Sequence, residues 1–187
     1  MDPTIFTPLG SISITTQQAK PIEHTMCKVK QFLDYAASHP DTIVTYHVSD
    51  MILVGHSNAS YLSKTKSRSR VGGHFFVSNK SANPPKNGAV LTVAQIIKTV
   101  ISSAAEAELG VLFINYREEI PAHHTLKEMR HKQPPTPMQI NKMTALGVVI
   151  NNLTSKRFKS VDMRLHWIRC RATQGKYCGV LTSALGQ

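Results

Sequence analysis

Three apolar segments in the first half of the chain constrain the fold most strongly. Residues 51–56, 71–77 and 89–93 are rich in β-branched and aromatic side chains, as strands are. Consecutive strands joined by short loops pair antiparallel, so these segments predict a three-stranded meander. Residues 42–48 are also rich in β-branched side chains and predict a further strand. That strand either belongs with the helix before it or extends the sheet.

The pattern then changes from strands to helices. Ser103 and Glu106 have the spacing of a capping box, which predicts the start of a helix there. Gly110 is expected to pack closely on the sheet, and Pro121 is expected to interrupt this helix before a second helical piece at 123–131. The side chains that recur at helical spacing and are predicted to face the sheet are Ala105, Leu109, Leu112, Phe113 and Tyr116.

The remaining elements complete an alternating order. A short strand is predicted at 138–141, helices at 144–152 and 160–172, and a last strand at 177–182. An earlier helix is predicted at 25–38, after an irregular arm. The whole order predicts an α/β fold, in which three antiparallel strands are followed by alternating helices and strands in one mixed sheet.

Charge is the most unusual property of the composition. The chain has 22 Lys and Arg against 11 Asp and Glu, a formal net charge of +11. Such a surplus suggests a polyanionic partner, either nucleic acid or an anionic membrane; the alternative is a basic surface that aids solubility. No apolar run approaches the ~20 residues of a membrane span, so we expect no membrane insertion.

The cysteine and histidine content indicates neither a disulfide framework nor a zinc site. Three scattered cysteines favour a reducing compartment, and we expect an intracellular location, cytoplasmic or nuclear. The nine histidines, which include His123 and His124, have no zinc-ligand spacing and are expected to be surface residues.

A run of alternating basic residues follows the first predicted strand. Lys64, Lys66, Arg68 and Arg70 occupy every second position, so an extended segment would place their charges on one face. This pattern suits contacts with the phosphates of nucleic acid. It also suits a solvated hairpin arm, and the sequence leaves both interpretations open.

Several motifs closely resemble the ribonuclease H domain of copia-type retrotransposon Pol polyproteins. They begin with Asp50 to Leu62 and Ser67 to Phe76, and continue with Ser102 to Leu109, Pro137 to Asn141 and Asp162 to Arg169. The resemblance covers about residues 20–176. It implies a ribonuclease H-like domain over 49–177, preceded by an arm with a remnant of the reverse transcriptase connection at 1–48. It further implies that residues 178–187 are a divergent, truncated tail, and that a longer polyprotein is one setting for the chain, the alternative being a chain that acts alone.

The resemblance also implies a chemistry that this sequence has largely lost. The family cleaves RNA in RNA–DNA hybrids with two Mg²⁺ ions held by four carboxylates. Residue by residue, these positions fall on Asn58, Glu108 and Asn141, and the late Asp has no counterpart here. Glu106 competes with Glu108, but Glu108 directly precedes a bulky residue, as the family's glutamate does. Since two metal ions need several carboxylates, we expect that no Mg²⁺ is bound. If Mg²⁺ does bind, we expect Glu108 to be its ligand.

Three hypotheses about function follow. The first is a degenerate ribonuclease H-like domain that is catalytically inactive and binds duplex or hybrid nucleic acid. The second is a weakly active, Mg²⁺-dependent ribonuclease H. The third is a non-enzymatic interaction fold or a transposon fossil. Under the first, Asn58, Glu108 and Asn141 still converge, but with amides in place of two acids.

Overall fold

The computed structural model describes residues 8–10, 12, 23–41, 43–64, 68–99, 101, 103–140 and 162–181. The chain divides into two compact units, Met1–Tyr46 and His47–Gln187. In the first unit, helix α1 spans Glu23–Ser38, close to the predicted range. Its Thr25 is buried, whereas Met26 and Leu33 are 59% and 57% exposed. The helix therefore presents apolar side chains that are not buried.

The second unit contains a five-stranded mixed sheet. β1 pairs antiparallel with β2 and β2 with β3, whereas β1–β4 and β4–β5 are parallel, so the strand order is β3-β2-β1-β4-β5. The predicted meander and mixed sheet are confirmed, and with them the ribonuclease H-like fold class. The last strand continues the sheet beyond residue 177, where the sequence placed the end of the domain. The strands are β1 Ile52–Lys64, β2 Arg68–Ser78, β3 Ala89–Ile96, β4 Thr136–Ile140 and β5 Tyr177–Leu181.

Two helices pack with this sheet. α2 spans Ala104–Glu128 and contacts β1 and β2, and α3 spans Asp162–Thr173 and contacts α2. Apolar side chains from β1, β2, β3, β4, α2 and α3 contribute to the core, which fixes α2 against the sheet. The buried core residues are Leu53, Val71, Phe75, Val77, Val93, Ile97, Val111, Leu112, Tyr116, Leu126, Met138, Ile140 and Ile168.

The start of α2 follows the sequence prediction. The Ser103 hydroxyl accepts a hydrogen bond from the Glu106 backbone N–H at 3.1 Å, as an N-cap residue does. Of the predicted stripe, Leu109, Leu112 and Tyr116 are buried. Phe113 is only partly buried, and its ring packs edge-on against Trp167 of α3 with ring centroids 5.1 Å apart.

Two predictions about α2 are wrong. Pro121 does not interrupt the helix, which continues to Glu128. Pro121 is exposed, while Glu119 before it and His123 after it are buried, so side-chain packing holds the backbone helical on both sides of the ring. Gly110 does not pack on the sheet. A Cβ atom built there would lie 3.8 Å from Arg164 Nη1, so Gly110 faces α3.

The strand predicted at residues 42–48 is also absent over 43–48. The β-branched side chains of this segment have no layer to pack against, and Ile43 and Val48 are 84% and 100% exposed. Its end is held by a side chain instead of a strand partner. The His47 N–H donates to Asn87 Oδ1 at 2.8 Å, and Asn87 Nδ2 donates to the His47 carbonyl at 2.9 Å.

The predicted helix at 144–152 lies outside the described residues. Among those that are described, no helix combines the length and apolar character needed to cross a membrane.

Candidate functional site

The end of β1 carries the position at which the resemblance expects an aspartate. Ser57 is buried and its hydroxyl accepts a hydrogen bond from Asn115 Nδ2 of α2 at 2.8 Å. Asn58 is the next residue and is exposed. Successive side chains of a strand point to opposite faces, so Asn58 leaves the sheet on the face away from α2. The cross-strand neighbours agree: a Cβ at Gly73, paired with Ser57, would meet Asn115, whereas one at Gly72 would meet Asn58.

Glu108 is the acid that the resemblance retains. It lies on α2, is 6% exposed, and precedes Asn115 by about two helical turns, so both residues lie on the side of α2 that faces β1. Glu106 is buried to a similar extent, so burial does not decide between the two acids. Strand alternation places Asn58 on the face of β1 away from α2, and the convergence of Asn58 and Glu108 on one metal site stays a prediction. Asn141 lies outside the described residues, and its part in the expected cluster stays a prediction.

This arrangement does not fit a two-metal centre. Two Mg²⁺ ions need several carboxylate oxygens converging from neighbouring elements. At the positions expected from the resemblance, the described residues offer one carboxyl group, that of Glu108, and the neutral amide of Asn58. Within the described parts of the chain, no group of three or more His, Cys, Asp or Glu side chains is placed to hold a metal ion.

The alternating basic residues lie at the hairpin between β1 and β2. Cross-strand register pairs Lys64 with Arg68 and Ser60 with Arg70. Arg68 is exposed, but Arg70 is only 7% exposed, and burial lowers the pKa of its guanidinium. The four cations therefore do not form one uniformly exposed stripe. Lys66 is outside the described residues, and the binding role of the run stays a prediction.

Asn115 is a buried polar residue that the sequence did not single out. Besides Ser57, its Nδ2 donates to the Gly72 carbonyl at 3.0 Å, so one amide ties α2 to both β1 and β2. A Cβ at Gly73 would lie 2.4 Å from Asn115 Oδ1, closer than any real contact. The absence of a side chain at Gly73 therefore lets the Asn115 side chain lie against β2.

A second polar cluster lies further along α2. Thr136 Oγ1 at the start of β4 donates to Glu119 Oε1 at 2.5 Å, and His123 Nδ1 lies 2.9 Å from the same hydroxyl. His123 Nδ1 is also 3.3 Å from Glu119 Oε1, one helical turn away on α2. Since the Thr136 hydroxyl donates its proton to Glu119, His123 Nδ1 is the donor to Thr136.

Burial favours the neutral forms of both titratable groups in this cluster. It raises the pKa of Glu119 to about 7, and the hydrogen bond from Thr136 offsets only part of that rise. Burial, with the positive charges of Lys127, His124 and Lys176, lowers the pKa of His123. The expectation that the histidines are surface residues is wrong for His123, which is 8% exposed. The signal in the sequence was a Glu and a His one helical turn apart.

The buried cluster opens into a cavity of about 120 Å³. Its wall contains residues of α2, of the last turn of α3, and of the segment between α3 and β5. The Thr136 N–H donates to the Lys176 carbonyl at 3.1 Å, which fixes that segment against the start of β4. The lining residues are Glu119, Ile120, His123, His124, Arg171 and Lys176.

The sheet order and the helix packing define a ribonuclease H-like α/β domain. No family model matches the chain. The chain is similar to the retrovirus-related Pol polyprotein from transposon TNT 1-94 of Nicotiana tabacum, with 26% identity over 141 residues, 75% of this chain and 10% of the relative. This match confirms the predicted resemblance to a retrotransposon Pol polyprotein. The chain spans about a tenth of the length of that curated relative.

A solved structure with a related shape is the crystal structure of RNase H1 from the halophilic archaeon Halobacterium salinarum NRC-1. It aligns with a TM-score of 0.46 and 10% identity, over 71% of this chain and 86% of that chain.

Proposed function

We propose that this chain is a degenerate ribonuclease H-like domain that binds duplex or hybrid nucleic acid and does not hydrolyse it. The feature that supports the proposal is the amide of Asn58, which stands where the resemblance places a carboxylate. Ribonuclease H-like enzymes generally use Mg²⁺. In this chain we propose that none is bound for catalysis.

The loss of negative charge at the site disfavours hydrolysis. An asparagine oxygen can contact a metal ion, but it contributes no negative charge to balance two divalent cations. Glu108 is buried between α2 and the sheet, where a single carboxylate supplies one negative charge. The loss of acids also removes the repulsion between neighbouring carboxylates in a metal-free site. The fold can therefore persist without the metal ions.

The argument for binding rests on charge and on the hairpin. The net charge of +11 favours association with a polyanion. The register places Lys64 directly opposite Arg68 at the end of β1 and β2. We propose that a longer Pol polyprotein supplies the setting in which this hairpin contacts nucleic acid.

A salt titration tests the binding proposal. The affinity of the chain for an RNA–DNA hybrid and for duplex DNA should fall steeply with salt, because each neutralised phosphate releases counterions. The double variant Lys66→Glu, Arg68→Glu should bind all sequences more weakly and reduce the slope of log K against log salt by about 2.

The matched control reverses two exposed lysines elsewhere, Lys80→Glu with Lys132→Glu. Lys80 follows the other end of β2, so this variant has the same net charge and an intact hairpin. Equal losses in the two variants would show that only net charge matters and would remove the hairpin from the interface. Salt-independent binding, or none, would overturn the proposal.

A further inference from the structure

The cavity beside Glu119 lies at the opposite end of the parallel strands from the expected catalytic edge. Thr136 is the first residue of β4, and its register partner Tyr177 is the first residue of β5. Asn141, by contrast, follows the last residue of β4. Neither the expected metal chemistry nor the basic hairpin uses this cavity, so it calls for its own explanation.

The base of the cavity is a preorganised set of hydrogen-bonding groups. Glu119 and Thr136 are each 1% exposed and His123 is 8% exposed, so their positions are fixed by packing. The Thr136 hydroxyl connects the carboxyl group to the imidazole ring. At neutral pH a large share of Glu119 is protonated, because burial raises the pKa of the carboxyl to about 7. A protonated carboxyl group can donate a hydrogen bond to a ligand.

The remaining wall combines apolar surface, which includes Ile120, with two cationic side chains. Arg171 and Lys176 are half-buried lining residues, and the third polar lining group is His124. An ion pair of Arg171 or Lys176 with Glu119 would hold the pKa of that carboxyl low, but the pKa is raised. The positive charges of Arg171 and Lys176 are therefore not neutralised by Glu119. The planar guanidinium group of arginine matches the geometry of a phosphate in particular.

We propose that this cavity binds a small tetrahedral oxyanion, either free phosphate or a phosphate monoester group, with Arg171 and Lys176 as cationic ligands and Glu119 as a proton-bearing donor. The size fits: a single water needs roughly 10–15 Å³ of such a cavity, and about 120 Å³ has room for a ligand of several heavy atoms. The proposal does not depend on nucleic-acid binding at the hairpin.

Protonation of Glu119 should control the affinity. An ionised Glu119 repels an anion, so only the protonated form binds well. With a pKa of about 7, the protonated fraction falls about tenfold between pH 6 and pH 8, and the affinity should fall with it. The other titratable groups around the cavity are His123, His124 and Lys127 of α2, Arg171 of α3 and Lys176 before β5.

Calorimetric titration of the full chain with sulfate tests the proposal, because sulfate stays ionised throughout this pH range. Trp167 gives a second readout, since it is the only tryptophan in the chain and the Arg171 guanidinium lies 5.5 Å from its ring centroid. Sulfate should bind at pH 6 and shift the Trp167 emission. The variants Arg171→Gln and Lys176→Gln should each weaken the affinity for sulfate about tenfold or more. The control Lys80→Gln should leave the affinity for sulfate unchanged.

The variant Glu119→Gln should bind sulfate with equal affinity at pH 6 and pH 8. If its pH dependence persists and instead disappears in His124→Gln, the role of Glu119 is overturned. Circular dichroism and thermal melting establish that each variant is folded. Absence of sulfate and phosphate binding in the millimolar range to the folded wild-type chain overturns the site itself.

Oligonucleotides with and without a 5′-phosphate distinguish the two sources of the anion. Preference for the phosphorylated strand, lost in Lys176→Gln, assigns the site to a nucleic-acid terminus. Equal binding of both strands, with sulfate binding intact, assigns it to a free anion. The hairpin variant Lys66→Glu, Arg68→Glu should lose hybrid binding but bind sulfate as the unmodified chain does. The two proposals can therefore fail separately.

Discussion

Helix α2 carries two buried acids, Glu108 and Glu119. Glu108 lies near the N-terminal end of the helix. Glu119 lies roughly 16 Å further along the helix, where Thr136 and His123 contact it directly. Burial is common to both acids. At Glu119 the contacts with Thr136 of β4 and His123 of α2 connect the helix to the sheet, and this connection marks a preorganised site more specifically than burial does.

The largest expected effect comes from the ionisation of Glu119. Its pKa is about 7 in the fold against 4.5 as an unperturbed carboxyl, so the folded chain binds this proton more tightly than the unfolded chain. That stability is fully present below pH 4.5 and is lost as the pH rises through 7. The shift corresponds to about 3 kcal/mol between these limits.

Urea denaturation of the wild-type chain and of Glu119→Gln at pH 5 and pH 8 measures this effect. The wild type should lose stability between the two pH values relative to the variant. His123, whose pKa is lowered, acts in the opposite sense, since its contribution is lost as the pH falls below about 6.5. Because His123 contacts Glu119, the substitution also changes the surroundings of His123, and the difference reports the titration of the pair. Parallel pH curves would show that burial does not raise the pKa of Glu119.

A second test concerns the contact that positions α2 over β1. Gly73→Ala should destabilise the fold by about 1–3 kcal/mol, because its Cβ would overlap Asn115 Oδ1. Gly72→Ala is the control, since there the nearest atom, the Asn58 carbonyl oxygen, would lie at 3.4 Å. Adding Asn115→Ala to Gly73→Ala removes the overlap, so the double variant should lose less than the sum of the single losses. Additive losses would show that Asn115 does not lie against Gly73.

A smaller effect is expected where α3 meets α2, the contact that brings Arg171 to the cavity. Phe113 is partly buried against Trp167, so Phe113→Ala should cost about 1–2 kcal/mol. Phe75→Ala is the reference for a fully buried ring, at about 3–5 kcal/mol. Chemical denaturation of both variants compares the two losses. Equal losses would mean that Phe113 is more deeply packed than the structure shows.

The sequence predicted the sheet well because the strands can be recognised from the pattern of neighbouring residues. The apolar segments and the Ser103 cap each depend on residues close in the chain. Residues 43–48 show the limit of such patterns, since their β-branched side chains find no partner strand. Pro121 shows another: burial of Glu119 and His123 holds the helix together where local propensity would end it.

The candidate site was less predictable for a physical reason. Substituted positions such as Asn58 can be read from a family pattern, but strand alternation and a hydrogen bond to Ser57 decide which face they occupy. The cluster of Glu119, His123 and Thr136 joins a helix to a strand, and a helical pair of Glu and His gave no indication of the threonine. Arg171 and Lys176 reach the same cavity only through the packing of α3 and the last strand.

We propose that the site at the end of β1 has lost its metal chemistry, and a cleavage assay tests this proposal. A labelled RNA–DNA hybrid is incubated with Mg²⁺ or Mn²⁺ and either the unmodified chain or the double variant Asn58→Asp, Asn141→Asp. We expect no cleavage by the unmodified chain and at most partial cleavage by the variant, which has three of the family's four acids. Metal-dependent cleavage of the RNA strand by the unmodified chain would contradict it.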